Sequence, residues 1–549
     1  MPLPRSTRTR GLALLSLGAV SLLALTACGT AAAVQPAADA ERIDGGTIVY
    51  AHQQEPSCIF GGWIEQAYIS YQVLDSLFSL DDDGQPVAWL GESWEVSDDG
   101  LTYTITLKDG VSFTDGTPVD AEAVAYNFDY WVAGGNSTAA VWLGGYYESA
   151  EAVDDLTVAI HLSRPYTRFI ENLTQGYFGI QSQQALETRT DEENCEAPIG
   201  SGAFTVAEWN RGQNVILERN DDYTSWPANA QHTGPAYVEK VDWRFTSDPT
   251  TRVAALQSGE ANAIYDVPAT SWQTLDDAGF TLEKFVTPGR PQQISFNTAQ
   301  GPFVDENVRK AFVSSLDRES IVETIGQGVI PYEGNGGVSQ ATPGYSQAAA
   351  DLYTYDPDEA NRLLDAAGWT RDDDGYRSKD GELLEVLLPY GAGSIINADG
   401  ASILQAVQEQ AKAVGFKVDL LPLSQAELWG GDYSTPDSYD LSVGYWTSVN
   451  AGILYINWRQ STEEQPNYSN SAFYNDPVLE QLILDANSEP DAEKQNQLYG
   501  QAQDYIAEHA TSVGLYDRLS TLAVSPSLKG VWQENAQGGP TFYDAYFVE

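Results

Sequence analysis

Residues 94–127 read WEVSDDGLTYTITLKDGVSFTDGTPVDAEAVAYN. Ser97, Asp98, Asp99 and Gly100 carry the chemistry of a turn. Leu101–Lys108 then alternates apolar and polar residues with the period of a half-exposed strand. From Val119 to Trp131 (VDAEAVAYNFDYW) the pattern is helical. Asp120 is placed to cap it, and Glu122 lies in the first turn, where a carboxylate meets the positive end of the helix dipole. A strand followed at once by a helix predicts an α/β chain.

The alternation continues outward in both directions. Gly46–Ala51 (GTIVYA) is β-rich, and Leu156–Leu162 (LTVAIHL) is a second alternating strand in which His161 reads as a surface position. In the second half Glu306–Leu316, Asp358–Ala367, Ala401–Val414 and Ala492–Ala507 show helical spacing, and Gly368 and Gly415 stop the middle two. Leu383–Leu388 and Lys417–Leu421 read as strands between them, so this half predicts βα units with some parallel sheet. No internal repeat is present.

At 549 residues the chain is long enough for about three or four folding units. Its 14 Trp, 30 Tyr and 17 Phe supply material for packed cores and for a ligand pocket. Lys and Arg total 28 against 78 Asp and Glu, a net charge of −50. Such a field repels phosphate backbones and anionic lipid, so neither nucleic-acid binding nor electrostatic docking to membranes is expected.

Arg5, Arg8 and Arg10 precede the uncharged apolar run Gly11–Ala27, which is shorter than the ~20 residues of a spanning helix and reads as a secretory signal. The run ends in Leu25-Thr26-Ala27-Cys28, which resembles the bacterial lipobox, where the cysteine is acylated and the chain is cut just before it. Residues 1–27 are thus expected as a lipoprotein signal peptide and 28–44, Ala-rich and aperiodic, as a flexible tether. Lipidation of Cys28 leaves Cys58 and Cys195 as an even pair, predicted to form a disulfide; two buried free thiols are the alternative. The four histidines are far apart in sequence, so no metal site and no cofactor is expected.

Nucleophile elbows, zinc-protease helices and phosphate-binding loops are all missing from the sequence. Asp81–Gly84 and Asp372–Gly375 lack the spaced ligands of a calcium loop and read as hairpin turns. The chain is therefore not expected to be an enzyme. A carboxylate pair for glycoside hydrolysis stays open among so many acids.

Four ordered segments resemble one family, the extracytoplasmic solute-binding proteins of peptide, nickel and oligosaccharide importers known as family 5. They are Trp94–Asn127; Pro198–Tyr223 (PIGSGAFTVAEWNRGQNVILERNDDY) continuing into Arg252–Glu260; Phe296–Ile321 (FNTAQGPFVDENVRKAFVSSLDRESI); and Tyr355–Trp369 (YDPDEANRLLDAAGW). The resemblance covers nearly the whole chain after Asp44. It implies an α/β, two-lobed fold of the periplasmic-binding-protein type (class II, the large three-subdomain form), with the ligand cleft between lobes that close like a clamp. Residues 45–88, 198–294 and 522–549 would form the core of lobe I, 89–197 a subdomain inserted in it, and 295–521 lobe II. The hinge would cross near 294 and 521, and a Cys58–Cys195 bridge would staple the two parts of lobe I.

The implied role is that of a substrate-binding protein of an ABC importer. It would be lipid-anchored on the outer face of the bacterial cytoplasmic membrane, touch the membrane only through that anchor, act as a monomer, and hand its solute to permease subunits driven by separate ATPase subunits. An oligopeptide is the expected ligand, with an oligosaccharide or other non-peptide solute as alternative and a lipid-anchored hydrolase or receptor as a further one. By the resemblance, Glu55 and Ser57 belong to a loop facing the ligand from lobe I. Tyr445, Trp446, Thr447 and Asn450, within GYWTSVN (444–450), occupy the place of a Gly-Trp-x-x-Asp-Tyr run whose backbone pairs with a peptide. The Asp that peptide binders carry three residues after the Trp is replaced here by Val449. Trp63 and Trp142 are further candidates, either stacked on the ligand or buried in a core.

Overall fold

A computed structural model describes residues 41–549 apart from Gly62, Trp63, Glu333, Asn335, Ser394 and residues 463–465. The signal segment, Cys28 and Trp63 lie outside the described residues. Arg42–Ile43, expected within the tether, instead pair with Val548 and Phe547, because the edge of the strand Tyr546–Val548 offers them backbone partners.

The strand expected at Gly46–Ala51 is Thr47–His52, the middle of a seven-stranded mixed sheet. It runs parallel to Lys240–Phe245 on one side and to Ala263–Tyr265 on the other. Leu519–Val524 enters the same sheet between Ala263–Tyr265 and Thr281–Val286. Tyr50, Trp243 and Phe542 pack edge to face beneath it, ring centroids 4.6 and 5.2 Å from Tyr50. The alternating strand read at Leu101–Lys108 is Thr102–Leu107 in a separate four-stranded antiparallel sheet, paired with Gly91–Val96 and Thr157–Leu162. The helix after it is Ala121–Tyr130, capped as expected: Ala123 N donates to Asp120 Oδ1 at 2.9 Å. Cys58 and Cys195 are bonded to each other, their Cα atoms 4.9 Å apart.

A second lobe is built on another sheet, in which Gly289–Phe296 lies between Leu441–Thr447 and Ser512–Tyr516, all antiparallel. Glu385–Gly391 and Lys417–Leu423 form a parallel pair joined by the helix Ala398–Val414, the predicted βα unit. That helix starts three residues earlier than its periodicity suggests, because Asn397 Oδ1 accepts from Gly400 N and so caps a first turn that contains a glycine. Phe296, Phe303, Phe312 and Phe416 form the aromatic centre of this lobe's core. Both acidic runs are hairpin turns: Asp81–Gly84 links Phe78–Leu80 to Pro86–Ala88, and Asp372–Gly375 links Thr370–Arg371 to Arg377–Lys379.

The chain passes from the seven-stranded sheet to the three-stranded sheet at Thr287-Pro288 and returns at Asp517-Arg518, earlier in each case than positions 294 and 521. The two crossings lie side by side, Thr287 N donating to Arg518 O at 2.9 Å. Among the described residues no helix is long and apolar enough to cross a membrane, and no group of His, Cys, Asp and Glu is arranged to hold a metal.

Candidate functional site

Where the lobes face each other the structure encloses a cleft with about 1590 Å³ of empty space, open to solvent. Its floor is the strand Leu441–Thr447, which is hydrogen-bonded on one side only, to Gly289–Phe296. An edge strand presents unpaired backbone donors and acceptors to whatever lies beside it. Here its start lies beside Glu385–Gly391, where Asp440 N donates to Leu387 O at 3.1 Å, and Ser442–Thr447 line the cavity.

The cleft walls are strongly aromatic. Tyr177 contributes from the first lobe, and Trp429, Tyr439, Tyr445, Trp446 and Tyr468 from the second. Trp429 is 58% and Tyr468 82% exposed, large apolar surface held at the rim of a concavity rather than scattered singly. Tyr445 is backed by Arg518, whose guanidinium carbon stands 4.4 Å from the ring centroid. Thr447, at the end of the strand, has Tyr177 Oη 2.9 Å from its Oγ1 and accepts from Gln537 Nε2 at 3.3 Å.

The backbone beside this floor is tightly specified. Gly289 has φ 108°, and a Cβ there would overlap the Trp446 carbonyl oxygen and the Ser448 nitrogen. Only glycine allows that approach. Ser448 N in turn donates to Pro288 O at 3.0 Å, fastening the cleft strand to one of the two crossings.

Of the residues singled out from the sequence, Tyr445, Trp446 and Thr447 line this cleft together. The others have different surroundings. Glu55 turns to the hairpin of its own lobe, accepting from Trp209 Nε1 at 2.8 Å and from Gly212 N at 3.0 Å. Ser57 is exposed and accepts from Gln66 Nε2. Trp142 is buried in the core beside the helix Ser137–Leu143 to which it belongs. Asn450 is buried too: Oδ1 accepts from Gly452 N at 2.9 Å and Nδ2 donates to Asn172 Oδ1 at 3.0 Å, so it joins two segments rather than facing the cavity. Val449 is buried against Leu80 and Ala536.

One cleft residue was not legible beforehand. Arg290, on the strand Gly289–Phe296, donates from Nη1 to Asn457 Oδ1 at 3.1 Å and from Nη2 to the Tyr445 carbonyl at 3.3 Å. Burial pushes its guanidinium down to about 10.

The family model for bacterial extracellular solute-binding proteins, family 5, middle region, matches residues 85–468, and the chain belongs to this family. The glutathione-binding protein GsiB of Salmonella paratyphi A is 28% identical over 464 residues, 83% of this chain and 85% of that protein. The fold is that of the oligopeptide-binding protein AppA from Bacillus subtilis, solved with a nonapeptide: TM-score 0.80 at 24% identity, over 93% of this chain and 100% of that one. DppA from Helicobacter pylori, solved with the peptide STSA, superposes with a TM-score of 0.78 at 21% identity over 92% of this chain and 99% of that one. The protein is thus a two-lobed, extracytoplasmic solute-binding component of an ABC importer for peptides or related solutes. It is a transport component and not an enzyme.

Proposed function

We propose that the protein captures an oligopeptide, or a similarly extended molecule, between its lobes and delivers it to the permease. The observation that carries this reading is the edge strand Leu441–Thr447 forming the floor of an aromatic cleft. Such an edge supplies strand-like backbone pairing that is largely indifferent to side chains, and the rings supply stacking area. With Val449 in place of an acid, and no acid among the described cleft-lining residues, the ligand needs no free α-amine. A charge-assisted bond to an ammonium contributes about 1.5–3 kcal/mol, so its absence alters specificity by roughly tenfold or more.

Calorimetric titration with a peptide, its N-acetylated form and short oligosaccharides tests this. The two peptides should bind within about threefold of each other. Loss of binding on acetylation would refute the free-amine part. Tight binding of sugars without peptides would favour the oligosaccharide reading, which the exposed rings of Trp429 and Tyr468 support.

The same reading divides the described chain into a lobe of residues 45–88, 198–287 and 518–549 with 89–197 inserted, and a lobe of 288–517, the bounds moved to the two crossings, with the chain acting as a monomer. It places the protein on the outer face of the membrane through lipid on Cys28, an assignment supported by the lipobox-like sequence Leu25–Cys28. Cys28→Ala should release the protein from the membrane fraction or block its maturation. An unchanged, lipid-free mature form in both versions would refute it.

A further inference from the structure

We propose that the solute carries an anionic group, a carboxylate in the first instance, and that Arg290 is the residue that selects it. This deepens the solute-binding reading of the cleft and rests on it.

Among the described residues that line the cleft, Arg290 alone bears a charge. That is unexpected for a chain with 78 acidic residues and 28 basic ones, where a wall drawn at random would be acidic. A guanidinium has five N–H donors. Two of its nitrogens are partnered by the neutral oxygens of Asn457 and Tyr445, while Nε is buried without a hydrogen-bond partner and no carboxylate among the described residues lies within ion-pair distance. Arg318, which is buried, is held by the Gly514 and Tyr353 carbonyls away from the cleft, whereas two further buried arginines meet an acid. Arg252 meets Asp266 at 2.9 Å and Arg377 meets Asp365 at 2.5 Å.

A half-buried cation whose Nε is shut off from water and which has no counter-charge is costly, and the cost is relieved when an anion arrives. The fork geometry of the guanidinium suits a planar carboxylate. The approach is open, too: a Cβ on Gly444 would stand 3.4 Å from Arg290 Nη2, and the residue there has none. The guanidinium also touches the Tyr445 carbonyl of the edge strand, so a carboxylate bound to it would end an extended ligand lying along that strand. The terminal carboxylate of a peptide and an acidic group elsewhere in a solute share this chemistry.

Matched pairs separate these sources. Wild-type protein and Arg290→Gln would be titrated with tetra-alanine and its C-terminal amide, glutathione and its diethyl ester, and trigalacturonate and its methyl ester, alongside native mass spectrometry of any copurified ligand. Thermal unfolding and circular dichroism of the variant establish that it is folded. In every pair that binds, the acid should be preferred at least tenfold by the wild type and less than threefold by Arg290→Gln. Preference for trigalacturonate with no peptide binding would uphold the anion proposal and refute the peptide reading. Equal affinity for acid and neutral partner, discrimination that survives Arg290→Gln, or a copurified ligand with no acidic group would overturn the anion proposal and leave the peptide reading standing. If no pair binds and no ligand copurifies, the proposal is overturned as well.

Discussion

The side-chain amide of Asn397 donates to Asp266 Oδ1 across 2.7 Å, joining the helix Ala398–Val414 of the second lobe to the end of the strand Ala263–Tyr265 of the first. Asp266 is held for this contact by Arg252, whose Nη2 is 2.9 Å from Oδ2, and by a left-handed backbone with φ 54°. Asn397 also caps its helix, so one side chain fixes an element and fastens it to the opposite lobe. The bond ties the two lobes to each other in this structure. Asn397→Asp keeps the cap, since Asp caps as well as Asn, but sets a carboxylate against the carboxylate of Asp266. The expected outcome is a fold of unchanged thermal stability within a few degrees, a population shifted toward open lobes in small-angle scattering, and ligand affinity lowered about tenfold. Unchanged affinity would show that this contact does not bias closure.

The Cys58–Cys195 bond closes a loop spanning 137 residues. The chain-entropy account gives such a crosslink about 4–5 kcal/mol of stabilisation through the unfolded state. Replacing both cysteines by serine should lower the urea-unfolding free energy by that order. A loss under about 1 kcal/mol would show that the unfolded chain is not what the bond restrains.

Asp75 is buried with the hydroxyls of Ser201, Ser225 and Tyr223 around it, and burial pushes its carboxyl from 3.8 up to about 6. The folded state therefore holds this proton more tightly than the unfolded chain. The stability it contributes is full below about pH 4, falls as pH rises to about 6 and is level above, a loss of up to roughly 3 kcal/mol. Asp75→Asn cannot ionise and keeps the hydroxyl partners. The stability of the wild type relative to Asp75→Asn should thus decline between pH 4 and 6 in urea unfolding. A flat difference would refute the assignment.

Gly289→Ala should be among the most damaging single-atom additions in the second lobe. It forces an unfavourable positive φ and places a methyl against the Trp446 carbonyl. About 2 kcal/mol or more of stability should be lost. Ligand affinity should fall with it, because the edge strand moves. A neutral effect on both would show that the backbone can rotate there without cost.

The strand and helix of residues 94–127 were legible because period and capping chemistry are local. The sheet order was not, since Leu519–Val524 reaches its neighbours only through long-range pairing. In the cleft, Tyr445–Thr447 were legible only through the resemblance to the family, not from periodicity or spacing. Arg290 was hidden because Gly-Arg-Pro-Gln-Gln carries no periodicity, and its inward position depends on a register shift between Arg290 and Gln293 that only the paired strand reveals. Trp142 could have been placed correctly from its own helix. Thr138, Ala139, Trp142 and Leu143 form one buried stripe at helical spacing. Asn450 shows the reverse: its carbonyl oxygen is used locally by Gly452 N, as Asn often is at a turn, and its amide nitrogen reaches Asn172 in the first lobe, a contact no local pattern announces.

The order in which a ribosome releases this chain bears on when it can fold. The strand Thr47–His52 must wait for Lys240–Phe245 and Ala263–Tyr265, the sheet gains Leu519–Val524 only after the whole second lobe has been made, and Arg42–Ile43 pair with Phe547 and Val548. The first lobe therefore cannot be completed on a nascent chain, and closing such distant pairs is slow. A polypeptide whose first lobe stays unfinished until its last strands emerge remains threadable. Passage through a translocation pore as an unfolded strand is then compatible with its topology, without any separate device to delay folding.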